Sequence, residues 1–255
     1  MRENIRKLLN TKEFHIGMVI FIIVIILFIA GVISLKYNVE GEANLPFELS
    51  KISIISSVEG TDNEDTQNKW NLTVNQNNDI YLYIKKNDNY KNTEIIQSIV
   101  LDNFNIQQSS EVGQKKLFKP DSNIDTVMFK NTEENVTDKI EYKGDLDSSI
   151  KDLKISNQGG LVVFRYANTN IGNYVSNDDE EINHQDLLKK LNINNDDLKT
   201  KVTFDITIKL ESNKNYKASV ELELPVDNVV DGGTQSKEIV DLDNVIFKRV
   251  NNVNN

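Results

Sequence analysis

The sequence predicts a mainly β protein: one N-terminal transmembrane helix followed by an extracytoplasmic, antiparallel β-sandwich-like domain with one short helix. Two observations lead to this fold class. The stretch from Gly17 to Leu35 contains no charged residue, no amide and no proline. After it, apolar and polar residues alternate with a period of two in several segments, as expected of antiparallel strands that bury one face.

The apolar stretch passes the length test for a membrane span. Its nineteen residues would form a helix of about 29 Å, close to the roughly 30 Å hydrocarbon core of a bilayer. It has no polar stripe, which distinguishes it from the core helix of a soluble protein. It is also longer than the apolar region of a signal peptide, and no A-x-A-like cleavage site follows it. The sequence therefore predicts an uncleaved membrane anchor.

The charges on either side of the stretch predict its orientation. Four basic residues precede it, namely Arg2, Arg6, Lys7 and Lys12, whereas Lys36 is followed by Glu40 and Glu42. A basic excess marks the cytoplasmic side. We therefore expect a single-pass protein of the cell membrane, with a cytoplasmic N-terminus and an extracytoplasmic C-terminal domain.

These boundaries divide the chain into five parts. We expect a basic cytoplasmic tail, a transmembrane helix, a juxtamembrane linker, a β-rich domain and a disordered tail, over residues 1–16, 17–35, 36–44, 45–250 and 251–255.

Composition excludes several classes of function. Four of the 29 basic and two of the 39 acidic residues precede Gly17, so residues 17–255 carry a formal charge of −12. Such a surface has no basic patch for nucleic acid. The chain has no cysteine, which excludes disulfides, thiolate metal sites, cysteine nucleophiles and a lipoprotein anchor, and fits a Gram-positive envelope. The 35 asparagines are interpreted as compositional bias.

Alternation predicts two hairpins. In "KWNLTVNQNNDIYLYIKK", two short strands would flank a "QNND" turn. In "KVTFDITIKLESNKNYKASVELELPV" the pattern is cleaner, with a turn at "ESNKN". The residues expected to face the core there are Val202, Phe204, Ile206, Ile208, Leu210, Tyr216, Ala218, Val220, Leu222 and Leu224. Further strands are predicted at "FELSKISIISSVEG", "TEIIQSIVLDNF", "DTVMFK", "LVVFRYAN" and "DNVIFKRV".

One short helix is predicted near residue 187. Asn183 is a suitable N-cap with Asp186 three residues later, and Leu187, Leu188 and Leu191 form an apolar face. We expect this helix to close one end of the sandwich. Residues 144–160 are a weak candidate for a domain boundary, so two immunoglobulin-like units remain the alternative to a single sandwich.

No catalytic, cofactor-binding or metal-binding residue is predicted from the sequence. His184 is the only histidine after the span, and its expected role is that of a solvated surface residue rather than a member of a Ser-His-Asp triad. Trp70, the only tryptophan, is expected to pack in the core or across strands. The acidic runs "GTDNEDTQN", "SNDDEEIN" and "DNVVDGG" lack the order of a calcium loop and are interpreted as solvated loops.

One resemblance supports the topology. The stretch "LPFELSKISIISSVEG", followed by "NKWNLTVNQNNDIYLYIKKN", resembles uncharacterised single-pass membrane-anchored proteins of low-GC Gram-positive bacteria, clostridia in particular. This resemblance implies a membrane-anchored exported domain and no known activity.

These observations favour a non-enzymatic binding or cell-envelope assembly module. Its expected partners are the lipid bilayer, through residues 17–35, and an envelope protein. No nucleic acid or cofactor is expected, and no small-molecule ligand is identified. Two alternatives remain: an accessory subunit of a membrane secretion or transport complex, and a carboxylate-based envelope hydrolase. Two close, buried carboxylates in a cleft would favour the hydrolase, whereas an apolar patch or an unpaired strand edge would favour an assembly partner.

Overall fold

The chain divides into two compact units, Met1–Ala43 and Asn44–Asn255. The computed structural model describes residues 12–63, 69–121 and 128–250. The predicted tail at 251–255 and most of the predicted basic tail lie outside these residues.

The first unit contains one long helix, α1 (Lys12–Glu40). It has a window of mean hydropathy 3.4, none of which is buried within the protein, and it is long and apolar enough to cross a membrane. The helix extends beyond the predicted span at both ends, into segments assigned to the tail and the linker. Its last residue, Glu40, is followed by Gly41, whose φ of 75° is the left-handed conformation that favours glycine, and whose N–H donates to the Tyr37 carbonyl.

The second unit consists of two sheets. Sheet one contains, in spatial order, β10 (Thr234–Ile239), β1 (Phe47–Asp62), β2 (Asn71–Lys86), β7 (Gly159–Val175) and β4 (Gln114–Phe118). Sheet two contains, in order, β11 (Lys248–Val250), β9 (Asn215–Glu223), β8 (Thr200–Leu210), β3 (Ile96–Gln108), β5 (Ile140–Gly144) and β6 (Leu153–Ile155). The β5–β6 pair is parallel and the other pairs are antiparallel. The predicted mainly β fold is therefore confirmed.

The main core lies between the two sheets. Three phenylalanines mark its centre: Phe164 of sheet one has ring centroids 5.3 Å from Phe104 and 5.1 Å from Phe204, both of sheet two. These edge-to-face contacts are a favourable geometry for aromatic rings. The two inner faces thus interlock through side chains that are 60 and 40 residues apart in the sequence.

The predicted hairpin of β8 and β9 is confirmed. Buried and partly exposed residues alternate without interruption along β8, and every residue predicted to face the core is buried. Ile206 pairs with Ala218 in the hairpin and with Leu101 of β3 on its other side. The strand is therefore central in sheet two, with one apolar face.

The first predicted hairpin is wrong, because β2 is one continuous strand of sixteen residues. The "QNND" segment lies in its middle, and Gln76 and Asn78 are buried. These two residues have the same parity as Val74 and Ile80, so the inward face continues without a break. The Asn78 amide oxygen accepts a hydrogen bond from the Ser56 hydroxyl at 2.6 Å. This bond replaces one that water would make with the amide if the segment were an exposed turn.

A second core lies where sheet one extends beyond the main core. Val58, Leu72 and Val74 pack there against short helices. These are a 3₁₀ turn at His184–Asp186, α2 (Leu187–Lys190), α3 (Asn195–Leu198) and α4 (Val229–Gly232). The predicted helix near residue 187 is thus present as a 3₁₀ turn followed by α2, although α3 and α4 were not predicted.

Two further predictions need correction. Trp70 is 46% exposed and lies just before β2, so it does not pack in the core. Residues 122–127, which include part of the predicted "DTVMFK" strand, lie outside the described residues, and Met128–Lys130 form no strand. The pattern also missed β4, β5, β6 and β10, which are short or carry few apolar residues.

The register of β8 gives a direct stability test. Ile206→Asp would place an unpaired charge in the main core and should lower the free energy of unfolding by about 4 kcal/mol or more, or abolish cooperative unfolding. Thr207→Asp, one residue away and opposite Lys217, is the matched control and should change it by less than about 1 kcal/mol. Denaturant unfolding of both variants measures the difference. Equal damage from the two changes would contradict the register.

Candidate functional site

Two carboxylates lie opposite each other on the outer face of sheet two. Asp102 and Asp205 form a cross-strand pair of β3 and β8, and the Lys217 ammonium lies 2.8 Å from Asp205 and 3.7 Å from Asp102. Burial alone would raise the pKa of Asp205, but hydrogen bonds from Asn103, Lys217 and Ser219 outweigh it and lower that pKa. A general acid needs a raised pKa, so Asp205 has the character of a partner in a structural ion pair with Lys217.

A more buried carboxylate belongs to Glu94, just before β3. Burial would raise its pKa, but hydrogen bonds from Lys214, Ser212 and Tyr90 lower it overall. The Ser212 and Lys214 side chains bond its two oxygens. Glu94 therefore ties the turn between β8 and β9 to the start of β3, and it offers no proton for catalysis.

The other residues that the sequence singled out remain apart. His184 is exposed, as expected, and its Nδ1 accepts a hydrogen bond from the Gly60 N–H at 3.1 Å. In residues 12–63, 69–121 and 128–250, no three His, Asp or Glu side chains come together as a metal site. Trp70 lies at the end of sheet one, where its backbone bonds Ser176.

The strongest candidate site is an apolar cavity of about 420 Å³ beside β7. We call it the edge pocket and define it by its lining residues: Pro120, Met128, Tyr142, Ile150, Asp152, Leu153, Lys154, Leu161 and Val163. Its volume is within the range of about 300–1,000 Å³ that is usual for binding sites. Its walls come from both sheets and from the crossover, the segment between β4 and β5.

Tyr142 forms the polar floor of the edge pocket. Its hydroxyl donates to the Val163 carbonyl at 2.8 Å and accepts from the Val163 N–H at 3.0 Å. The side chain thus reaches from sheet two to the edge of β7 and takes the position that a neighbouring strand would otherwise fill. Burial raises the pKa of Tyr142 well above its usual value, so this hydroxyl keeps its proton.

The edge of β7 is open next to this contact. Along an antiparallel strand, backbone groups two residues apart point the same way. Val163 directs its N–H and C=O away from β2, toward Tyr142, so Leu161 directs its own groups to the same side. There β4 pairs with β7 only from Arg165 to Thr169. Within the described residues, no strand pairs with Leu161 on this side.

The loop between β5 and β6 presents one apolar side chain to the pocket. Ile150 lines the pocket and is 85% exposed, and Leu146 of the same loop is 70% exposed. The loop is held by Asp152, which accepts hydrogen bonds from the backbone N–H and the hydroxyl of Ser149, both at 2.7 Å, and lies 3.2 Å from the Lys143 ammonium. These contacts, led by the Ser149 N–H, lower the pKa of Asp152 to about 2.

Sequence reasoning missed the edge pocket. Its residues come from the crossover, β5, the loop before β6, β6 itself and β7, and no spacing in the sequence connects them. One local signal existed: in "SSIKD" an isoleucine lies in a polar loop closed by a serine and an aspartate three residues apart.

Two other cavities are more polar. One, of about 600 Å³, lies on the outer face of sheet one beside Arg165. The other, of about 640 Å³, lies where the start of β8 approaches Gln235 and Lys237. No protein-family model, curated protein or solved structure matches the chain.

The low pKa of Asp152 makes its contribution to stability depend on pH. Because the folded pKa of about 2 lies below the ordinary 3.8, the contribution is complete above about pH 5 and is lost as the pH falls toward 2. Asp152→Asn should therefore destabilise the domain at neutral pH, and its difference from the wild type should shrink through this window. Denaturant unfolding at a series of pH values measures the effect.

Asp147→Asn, in the same exposed loop, is the matched control and should change stability little at any of these pH values. An Asp152→Asn difference that stays constant down to pH 2 would contradict the assigned contacts.

Proposed function

We propose that this protein is a single-pass membrane protein with a cytoplasmic N-terminus, whose β domain binds a protein of the cell envelope through the edge pocket. The observation that carries the proposal is the combination of an apolar pocket with an open strand edge at Leu161. Either feature alone is common. Together they are the two parts of a site that receives an extended chain.

The geometry favours an extended segment of the partner. Among the described residues no strand pairs with the N–H and C=O of Leu161 on the open side of β7, where the backbone of a partner can pair with them. The cavity beside Leu161 and Val163 is lined mainly by apolar groups and would receive an apolar side chain of that segment. Backbone pairing gives affinity in such sites, and the pocket gives specificity.

The exposed apolar residues support a partner that covers them. The region after the span carries a formal charge of −12, yet it presents Ile150, which lines the pocket, and Leu146 of the same loop to water. Fully burying one such side chain contributes about 1.5–3 kcal/mol. Exposed apolar groups next to a pocket are typical of interaction sites.

The structure supports the two alternative functions, an accessory subunit and a hydrolase, to different degrees. An accessory subunit of a secretion or transport complex would use the same pocket, with a neighbouring subunit as the partner. The hydrolase hypothesis receives no support from the carboxylates at Asp205 and Glu94, because the pKa of each is lowered. A binding or assembly role therefore remains the function that the geometry supports best.

Photo-crosslinking tests the binding site. With p-benzoylphenylalanine in place of Ile150, irradiation of intact cells should give a discrete adduct with an envelope protein. Leu161→Asp, added to that variant, should reduce the adduct about tenfold or more, since it places a charge where an apolar contact is needed. Immunoblotting measures the yield.

Val240 supplies the controls, because it is 72% exposed and lies just after β10. The crosslinker at position 240 should not give this adduct, and Val240→Asp should not reduce the adduct formed from position 150. Equal adducts from both positions, or an adduct that survives Leu161→Asp, would count against the edge pocket.

The absence of cysteine allows a clean test of orientation. A membrane-impermeant maleimide should label Val240→Cys in intact protoplasts, and should label Asn4→Cys only after the membrane is broken, because the basic excess keeps the N-terminus inside. Gel-shift of the labelled protein measures this. The reverse pattern would contradict the orientation, and a mature protein that lacks residue 4 would contradict the uncleaved anchor.

A further inference from the structure

We infer that the cavity on the outer face of sheet one is a second binding site, for a neutral, hydroxyl-rich ligand of the saccharide class. We call this cavity the outer cleft. It has a volume of about 600 Å³ and lies where outward side chains of β1, β2, β4 and β7 meet residues 129–131 of the crossover. It shares no lining residue with the edge pocket, so the inference does not depend on the proposed function.

One side of the outer cleft is built by a chain of hydrogen bonds. Arg165 forms a two-point contact with Asp79, at 2.6 and 3.0 Å, and its third nitrogen donates to the Asn131 amide oxygen at 3.1 Å. The Asn131 amide donates to Asn77 at 3.0 Å, and Asn77 donates to Glu59 at 2.8 Å. Arg165, Asn131 and Asn77 are each held by two partners, so this wall is fixed before any ligand arrives.

The other side consists of amides and hydroxyls. The Asn75 amide oxygen accepts from the Asn170 N–H at 2.8 Å, and its nitrogen is 3.5 Å from the Thr61 hydroxyl. The Thr73 hydroxyl lies 2.9 Å from the Asn63 oxygen and 3.1 Å from the Asn173 oxygen. A hydroxyl has one donor and two acceptor sites, and an amide has two of each. These contacts within the described residues use only part of that capacity.

The charge balance argues against an anionic ligand. Three cationic side chains line the outer cleft: Lys116, Lys130 and Arg165. Each is paired with a carboxylate that lies outside the lining, namely Glu133, Asp121 and Asp79, and Glu59 is the one carboxylate among the lining residues. The cations are therefore already neutralised. The same pairs argue against a bound metal ion, because the ammonium groups of Lys116 and Lys130 already contact the carboxylates.

A hydroxyl-rich ligand fits the remaining groups. Each saccharide hydroxyl is at once a donor and an acceptor, so it is best satisfied by side chains that offer both, as Asn and Thr do. A peptide would instead need an open strand edge, whereas the outer cleft lies on the face of the sheet. The structure thus provides two sites of different chemistry, one for an apolar chain and one for a polar saccharide.

The test uses the full-length protein in lipid nanodiscs, which avoids detergents with sugar headgroups. Maltotriose, cellotriose and chitotriose are titrated separately, up to about 10 mM, by ligand-observed NMR and calorimetry, with inorganic phosphate as the anionic probe. We expect at least one trisaccharide to bind and phosphate not to bind. Thr73→Val preserves the side-chain shape and suits a strand, and it should weaken the binding about fivefold or more.

Thr207→Val, on the outer face of sheet two, is the matched control and should leave saccharide affinity unchanged. Leu161→Asp should also leave it unchanged, which separates this inference from the proposed function. No binding of any trisaccharide, equal binding by wild type and Thr73→Val, or binding of phosphate in place of the saccharides would each overturn the inference.

Discussion

The fold depends on a mismatch of strand length between its two sheets. In sheet one, β1, β2 and β7 contain 16, 16 and 17 residues, whereas the longest strand of sheet two, β3, contains 13. Sheet two therefore cannot cover the whole inner face of sheet one. The short helices cover the remainder and form the second core. A sheet face left to water would expose Val58, Leu72 and Val74, so the helices are a requirement of the long strands.

Buried polar residues lie between the main core and the second core. Ser56, Gln76, Asn78 and Asn168 are at most 1% exposed, and the contact between Ser56 and Asn78 satisfies part of their hydrogen-bonding demand. A single apolar strip along the whole of β2 would allow the partners of the strand to slide. Buried polar residues at fixed positions make such a change of register costly, because the change would place amides against apolar side chains.

Periodicity alone predicted the parts of the fold that local rules decide. In the β8–β9 hairpin, alternation, turn and burial agree, so the register followed from the sequence. In β2 the same rule failed at Gln76 and Asn78, since amides at a strand centre resemble a turn when their partners are unknown. One of those partners, Ser56, belongs to another strand. Burial of polar residues is decided by such distant contacts, which a single segment does not reveal.

The asparagines also show that the roles of individual polar residues cannot be predicted from the sequence alone. Their number was attributed to compositional bias, yet of the five non-glycine residues with positive φ in the described part of the chain, four are asparagines: Asn103, Asn170, Asn192 and Asn213. Asparagine tolerates this conformation better than most residues because its short side chain can bond locally. Asn170 makes the irregularity in β7 that brings its N–H to Asn75. Composition supplied many asparagines, and the fold uses particular ones.

Both candidate sites depend on one further buried amide of β2, that of Asn77. Asn77 is 2% exposed and accepts the hydrogen bond from Asn131, which fixes the crossover on the outer face of sheet one. Arg165 adds a second attachment, with its guanidinium 4.7 Å from the Phe129 ring centre. On one side of this attachment the crossover forms a wall of the outer cleft through Asn131, and on the other it lines the edge pocket through Met128. The segment of β2 that resembled a turn is therefore the part of the strand that positions both sites, which explains why neither site could be recognised before the strand was known to be continuous.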